Sequence, residues 1–288
     1  MIRDCANKLL ENLSKEITNK TRNKINIILE GGAFNGSYHI GALYFLKEME
    51  KKQYIQINKI SGTSIGSLAA LLFYSDLLEE GINSYNILKS IYKKTKTLDI
   101  IPTFLNNIRE KLPKNIISFL NRRLYISYYN IKTGCKIIKS RYKNVDDLFT
   151  TIARSCFVPF FINGHLTIDK KYIDGLSPYI FPQNKYKCLN ISILNSHMFI
   201  IKNEETNIHK ILSGLLDIHL FITKHKSTPM CSYIDEQSIC QRLFYIILFF
   251  IEKIVIFMLF LGYHSKSTIY KSNIIVKIIN LIIKEYCI

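Results

Sequence analysis

A chain of 288 residues with 48% apolar content and no Gly/Ser-rich or Pro-rich tract can bury a large core, which excludes a disordered or fibrous protein. Its seven cysteines are scattered, without metal-ligand spacing or a disulfide-framework pattern, which argues against a metal centre and an oxidising compartment. The net charge of +17 is concentrated in residues 84–143, where 14 Lys/Arg face only Asp99 and Glu110, so that stretch suits a polyanion (lipid head groups or nucleic acid) or a plainly solvated face.

Taken in chain order, residues 1–24 mix Arg3, Asp4, Lys8 and Glu11 among apolar residues and so lack the apolar core of a signal peptide. Cytoplasmic rather than secretory placement is expected. The spacing of Leu9, Leu10, Leu13 and Ile17 predicts a helix over 5–19 at the domain edge. Ile25 to Leu29 is a nearly continuous apolar run, expected as a strand covered on both faces. It runs into Glu30-Gly31-Gly32-Ala33-Phe34-Asn35-Gly36, and Asn35 to Lys52 then reads as a helix.

Ile55 to Ile60 alternates as a second strand and leads into Gly62-Thr63-Ser64-Ile65-Gly66, followed by an apolar helix over Ile65 to Leu78. Strand, turn and helix thus occur twice, which argues for an α/β sheet with its sites at the carboxyl ends of the strands. Helices are expected at Tyr85–Lys94, Pro113–Arg123 and Val145–Phe157, and short strands at Leu166–Ile168, Tyr172–Ile173 and Leu189–Leu194. Beyond Asn195 no further strand-turn-helix unit is read. The expected division is therefore an N-terminal helix (1–24), a central α/β domain (25–187) and a hydrophobic helical appendage (188–288).

The Gly-x-Ser-x-Gly element carries the chemistry. Its glycines permit a tight strand-to-helix turn that holds the Ser64 hydroxyl at the apex. A serine hydroxyl is a weak nucleophile at neutral pH, so it needs a base and donors for the negative oxygen of a tetrahedral intermediate. Ser64 opens an apolar helix, placing the positive end of the helix dipole beneath it, and the Ile65 amide is one candidate donor. The amides of Gly31, Gly32 and Ala33 are the others. Gly66, Ser67, Ala69 and Ala70 let this helix pack closely, and a bulky residue at Gly66 should break the turn.

In order and approximate spacing, these two loops and Asp174-Gly175-Leu176 resemble the patatin-like phospholipases over roughly residues 25–185. The segment Ala153-Arg154-Ser155-Cys156-Phe157-Val158-Pro159 is also similar to the turn that precedes the family's aspartate. The resemblance implies a three-layer fold with a mostly parallel central sheet flanked by helices, and a lipid acyl hydrolase acting in lipid catabolism without a cofactor or metal. It further implies a Ser-Asp dyad, with Ser64 as nucleophile and Asp174 as base, an oxyanion hole from Gly31, Gly32, Ala33 and Ile65, and structural glycines at Gly36, Gly62, Gly66 and Gly175. The substrate would be a phospholipid or another acyl lipid, with an anionic membrane surface as partner and no nucleic acid.

Three residues depart from the family pattern. Ala33 replaces a glycine, so the hole is kept only if that backbone is ordinary. Asn35 replaces an arginine, removing a charge, and Leu176 replaces a small residue and is expected to crowd the dyad. Two other readings remain open. One is a Ser64-Asp174-His triad using His197, His209 or His219, and the other is a silent lipid-binding protein of the same fold. A dinucleotide-binding turn at Gly31–Gly36 is poorly supported, because the middle glycine and a well-placed acidic residue are missing.

Leu243 to Leu261 is long enough to span a bilayer, but Glu252 and Lys253 sit at its middle. Apolar residues favour insertion by about 6 kcal/mol and the two charges oppose it by about 5–7, so spanning and lying on a surface are both open. Ile274 to Ile283 is expected as a basic amphipathic helix, with Lys277 and Lys284 on one face.

Overall fold

The computed structural model describes residues 2–13, 23–95, 101–182, 186–194 and 206–264. The expected helix over 274–283, the second half of the leading helix and His197 lie outside these residues. Among them a seven-stranded sheet forms from β1 (Asn23–Leu29), β2 (Ile55–Thr63), β3 (Leu124–Asn130), β4 (Cys135–Lys139), β5 (Tyr172–Asp174), β6 (Lys187–Ile191) and β7 (Cys231–Tyr233), in the order β4-β3-β2-β1-β6-β7. The centre, β3-β2-β1-β6, is parallel. Strands β4, β5 and β7 add antiparallel.

The helices are α1 (Ile2–Glu11), α2 (Gly36–Lys51), α3 (Ile65–Tyr74), α4 (Leu78–Thr95), α5 (Ile101–Arg109), α6 (Ile116–Leu120), α7 (Val145–Ser155), α8 (Ile208–Lys224) and α9 (Ile239–His264). Alternation along β1 sets the layers. Ile25, Ile27 and Leu29 join the main core with α2, α3, α7 and α8, while Ile28 packs on the other face with Phe181 and Cys188. Helix α9 covers that second face, its Ile256 packing with Tyr129, Ile131 and Ile173. The fold is therefore α/β, with a central sheet between helical layers and a C-terminal apolar helix.

Several boundaries differ from the sequence expectation. The helix read over 65–78 ends at Tyr74 and a new one starts at Leu78, and the one read over 113–123 is the single turn-and-a-half α6. The expected division at 187/188 falls inside β6, and β7 and α8 belong to the sheet and core. The reason is pairing. β6 hydrogen-bonds β1 from Ile25↔Lys187 to Leu29↔Ile191, so the strand that completes the parallel centre comes from beyond the expected break. Only α9 stands apart as an appendage.

Strand β3 decides the site. β2 pairs with it in parallel up to Thr63↔Ser127, and β5 pairs antiparallel from Asn130↔Tyr172 to Tyr128↔Asp174. Since β4 occupies the opposite edge of β3 over Ile126–Asn130, β2 and β5 lie on the same edge and meet end to end. The residue after β2 is Ser64, and the last residue of β5 is Asp174.

Candidate active site

Ser64 sits at φ 50°, ψ −131°, a conformation closed to most side-chain-bearing residues. This is the strained strand-to-helix elbow that the Gly-x-Ser-x-Gly spacing predicts. Two serines brace it. Ser155 Oγ accepts from the Ser64 amide at 3.0 Å and donates to Ser127 O at 2.7 Å, tying the elbow to β3, and Ser67 Oγ donates to Ser64 O at 2.7 Å. Gly62 is the residue of β2 beside the turn. At Gly66 a Cβ would stand 2.5 Å from Leu29 O and 2.8 Å from Glu30 O, so a side chain there would push α3 off β1. The expected role of Gly66 is thus a close approach of backbones.

Asp174 lies buried beside this elbow. Its Oδ1 accepts from the Leu176 amide at 2.7 Å, and its own amide donates to Phe157 O at 2.8 Å. Burial lifts its carboxyl to about 6, against the lowering pull of the Leu176 amide, the Ser64 hydroxyl and Lys136. Ser64 is close enough to act on that pKa, yet Oδ2 has no partner in good hydrogen-bond geometry among the described residues. The pair is adjacent and not closed, as is common for catalytic contacts before substrate binds. Gly175 fits where a Cβ would collide with Ser127 O and Thr63 Oγ1.

Among the described residues no hydrogen bond takes up the amides of Gly31, Gly32, Ala33 or Ile65. The loop that carries the first three is anchored at both ends. His39 Nε2 donates to Glu30 O at 2.8 Å, and Asn35 Nδ2 donates to Ile193 O at 3.0 Å, so the residue in place of the family's arginine fastens the loop instead. Gly36 follows as the first residue of α2, in contact with the Ile65 side chain. Glu30 is a buried carboxyl, raised by burial and held by Asn190 at 3.0 Å and Ser192 at 2.5 Å.

Ala33 does not have an ordinary backbone: its φ is 42°. The condition set for an unstrained loop is not met, and alanine carries a cost that glycine would not. Leu176 corrects the opposite way. Its φ is 56°, its amide binds Asp174, and its side chain lines a cavity under α9, so it does not crowd Ser64.

Ser64 opens onto an apolar cavity of about 110 Å³ lined by Leu68, Leu72, Phe104, Val158 and Phe161 among others. Cys156 also borders it, but burial pushes its thiol up to about 12, which leaves it protonated and unreactive. Among the described residues no histidine lines this cavity. His219 lies on α8 against Phe45 of α2, its pKa lowered by burial, and His209 is on the first turn of α8. The alternative triad gains no support from either.

A family model described as patatin-like phospholipase matches residues 27–133. Human patatin-like phospholipase domain-containing protein 4 is 28% identical over 161 residues, 52% of this chain and 64% of the relative. Mouse patatin-like phospholipase domain-containing protein 2 is 26% identical over 199 residues, 65% of this chain and 41% of the relative. Over these stretches the chain is similar to the patatin-like phospholipase family. It spans less than two thirds of the length of these relatives.

The patatin-like match runs from β1 into the β3–β4 hairpin, so it contains the glycine loop and the Ser64 elbow and ends before Asp174. What brings the aspartate to this patatin-like elbow is the β3 register. Sequence reading quoted Ser155 only as part of a turn and did not find its bond to the Ser64 amide, nor Ser127 behind it. A small polar residue at the end of α7, beside Arg154 and just before Cys156-Phe157-Val158, was the available signal.

Proposed function

We propose that this chain is a lipid acyl hydrolase that cleaves carboxylic esters through Ser64 and Asp174. The observation that carries the reading is the elbow at φ 50° abutting a buried carboxylate at the mouth of an apolar cavity. Ser64 Oγ attacks the ester carbonyl while Asp174 takes its proton. The oxyanion is met by amides of Gly31, Gly32, Ala33 and Ile65. The tetrahedral intermediate expels the lipid alkoxide, which takes the proton from Asp174. Water, deprotonated by Asp174, then releases the fatty acid and restores Ser64. A pKa near 6 keeps Asp174 ionised at neutral pH yet more basic than an exposed aspartate, which suits a general base.

The apolar lining fits a fatty-acyl chain, and the family relationship favours phospholipid or another acyl lipid as substrate. His39, lowered to about 4 by burial and so neutral, and Glu30, whose pKa burial raises, fasten the oxyanion loop in this reading. The test is turnover of a phospholipid or long-chain ester by the full chain and by Ser64→Ala. Loss of turnover with unchanged folding supports the reading, and an unchanged rate in Ser64→Ala sinks it.

A further inference from the structure

Helix α9 is apolar, 26 residues long and mostly exposed, and by length and composition it is the one helix among the described residues able to cross a membrane. Its packing argues for something else. The residues turned towards the protein are Tyr245, Leu248, Glu252, Ile256, Leu259 and Tyr263, spaced three or four apart along the whole helix. Glu252 is 8% exposed, accepts from Tyr129 OH at 2.5 Å and from Lys136 Nζ at 3.1 Å, and Lys136 also donates to Ser177 Oγ at 2.5 Å. Near one end Asn190 donates to Tyr245 OH at 2.8 Å; at the other, Tyr263 OH donates to Lys170 O at 3.0 Å.

We infer that α9 lies in the plane of an anionic lipid surface, fastened to the sheet by its polar stripe and turning Leu243, Phe250, Ile254, Phe257, Met258 and Leu261 into the lipid. A spanning pose would strip Glu252 from Tyr129 and Lys136 and place it with Lys253 in hydrocarbon, where charges are costly. The apolar face is bulky and continuous, Phe250 being 60% and Phe257 58% exposed. Exposed Lys253, Lys132 and Lys170 flank its C-terminal half. That charge suits acidic head groups and opposes a second copy, whose lysines would meet these. The stripe also reaches both loops of the site. Asn190, bound to Tyr245, holds Glu30 beside Gly31, and Lys136, bound to Glu252, holds Ser177 three residues after Asp174. A lipid-seated α9 thus braces the oxyanion loop and the aspartate loop from one side.

The inference deepens the lipid-hydrolase reading but is tested without turnover. The chain has no tryptophan, so Leu243→Trp, Phe250→Trp and Phe257→Trp, each in full-length Ser64→Ala, report one site apiece. With vesicles of phosphatidylcholine and phosphatidylserine, all three emissions should shift to the blue. All three should be quenched alike by lipids brominated near the head group. Phosphatidylcholine alone should bind roughly tenfold more weakly. Deep quenching of position 250 with shallow quenching of 243 and 257 means spanning and overturns the inference. So does the absence of a shift, equal binding to neutral vesicles, or a concentration-dependent shift before vesicles are added, which marks a second copy. Failure of the Ser64–Asp174 chemistry would leave this fluorescence unchanged.

Discussion

The turn at Ser64 and the loop at Ala33 both carry a side-chain-bearing residue at positive φ, 50° and 42°, but their surroundings differ. Ser64 is over-determined. Gly66 brings α3 against β1, Ser155 takes its amide, and Ser67 takes its carbonyl. At Ala33 it is the neighbours that are fixed, through the His39 bond to Glu30, the Asn35 bond to Ile193 and the bonds of Tyr85 OH and Lys210 Nζ to Phe34 O. Strain of about 1–3 kcal/mol persists where the surroundings enforce it, and this contrast suggests that it is functional at Ser64 and merely tolerated at Ala33.

The contrast can be broken from the elbow side first. Asp174→Asn should lower the rate constant for turnover by about a thousandfold, because the base is gone while the amide keeps the Leu176 bond. It should also stabilise the chain. The folded carboxyl near 6 binds protons that the unfolded one, at 3.8, has released, so wild-type stability falls as pH rises from about 4 to 6. Above that window the asparagine variant should gain on the order of 3 kcal/mol, and below it the two chains should converge. Denaturant unfolding at pH 4 and pH 8 checks both halves. By the same pKa, wild-type kcat/KM should fall as pH drops below about 6.

Gly66→Ala comes next. With its methyl 2.5 Å from Leu29 O, it should cost about 2–3 kcal/mol in thermal or denaturant unfolding and remove most turnover. Ser155→Ala leaves the Ser64 amide and Ser127 O without their shared partner, which should cost about 1–2 kcal/mol and lower kcat more than it raises KM. Ala33→Gly is the smallest and has the opposite sign. Relief of the left-handed backbone, less the extra entropy of an unfolded glycine, should leave turnover unchanged or modestly higher and stability within about 1 kcal/mol of wild type. If Ala33→Gly instead destroyed turnover, the contrast between the two loops would be wrong.

The sequence displays the first half of the site well. Ile25–Leu29 and Ile55–Ile60 read as strands because each is a short apolar or alternating run ending at a glycine turn, and both glycine loops lie where the strands end. Strand β3 is not legible in the same way. Leu124–Asn130 ends at a hairpin turn through Gly134 and not at a strand-to-helix glycine loop, and three tyrosines blur its alternation. Without β3 nothing relates Ser64 to Asp174, whose adjacency is written in the pairings Thr63↔Ser127 and Tyr128↔Asp174. Glu252 fared similarly. In the sequence it is an obstacle to membrane crossing, and its partners Tyr129 and Lys136 lie more than a hundred residues earlier.

The end-to-end meeting of β2 and β5 on one edge of β3 also bears on how the protein comes into being. Ser64 and Asp174 are separated by a long stretch of chain, and bringing such distant segments together is slow compared with forming local helices. A newly made chain can complete α2 and α3 early, yet Ser64 has no carboxylate beside it until β3 is in place and β5 has returned to it. Refolding followed by circular dichroism and by hydrolysis should therefore show helix content recovering before activity. On the proposed function, activity should therefore appear only once β5 has paired with β3.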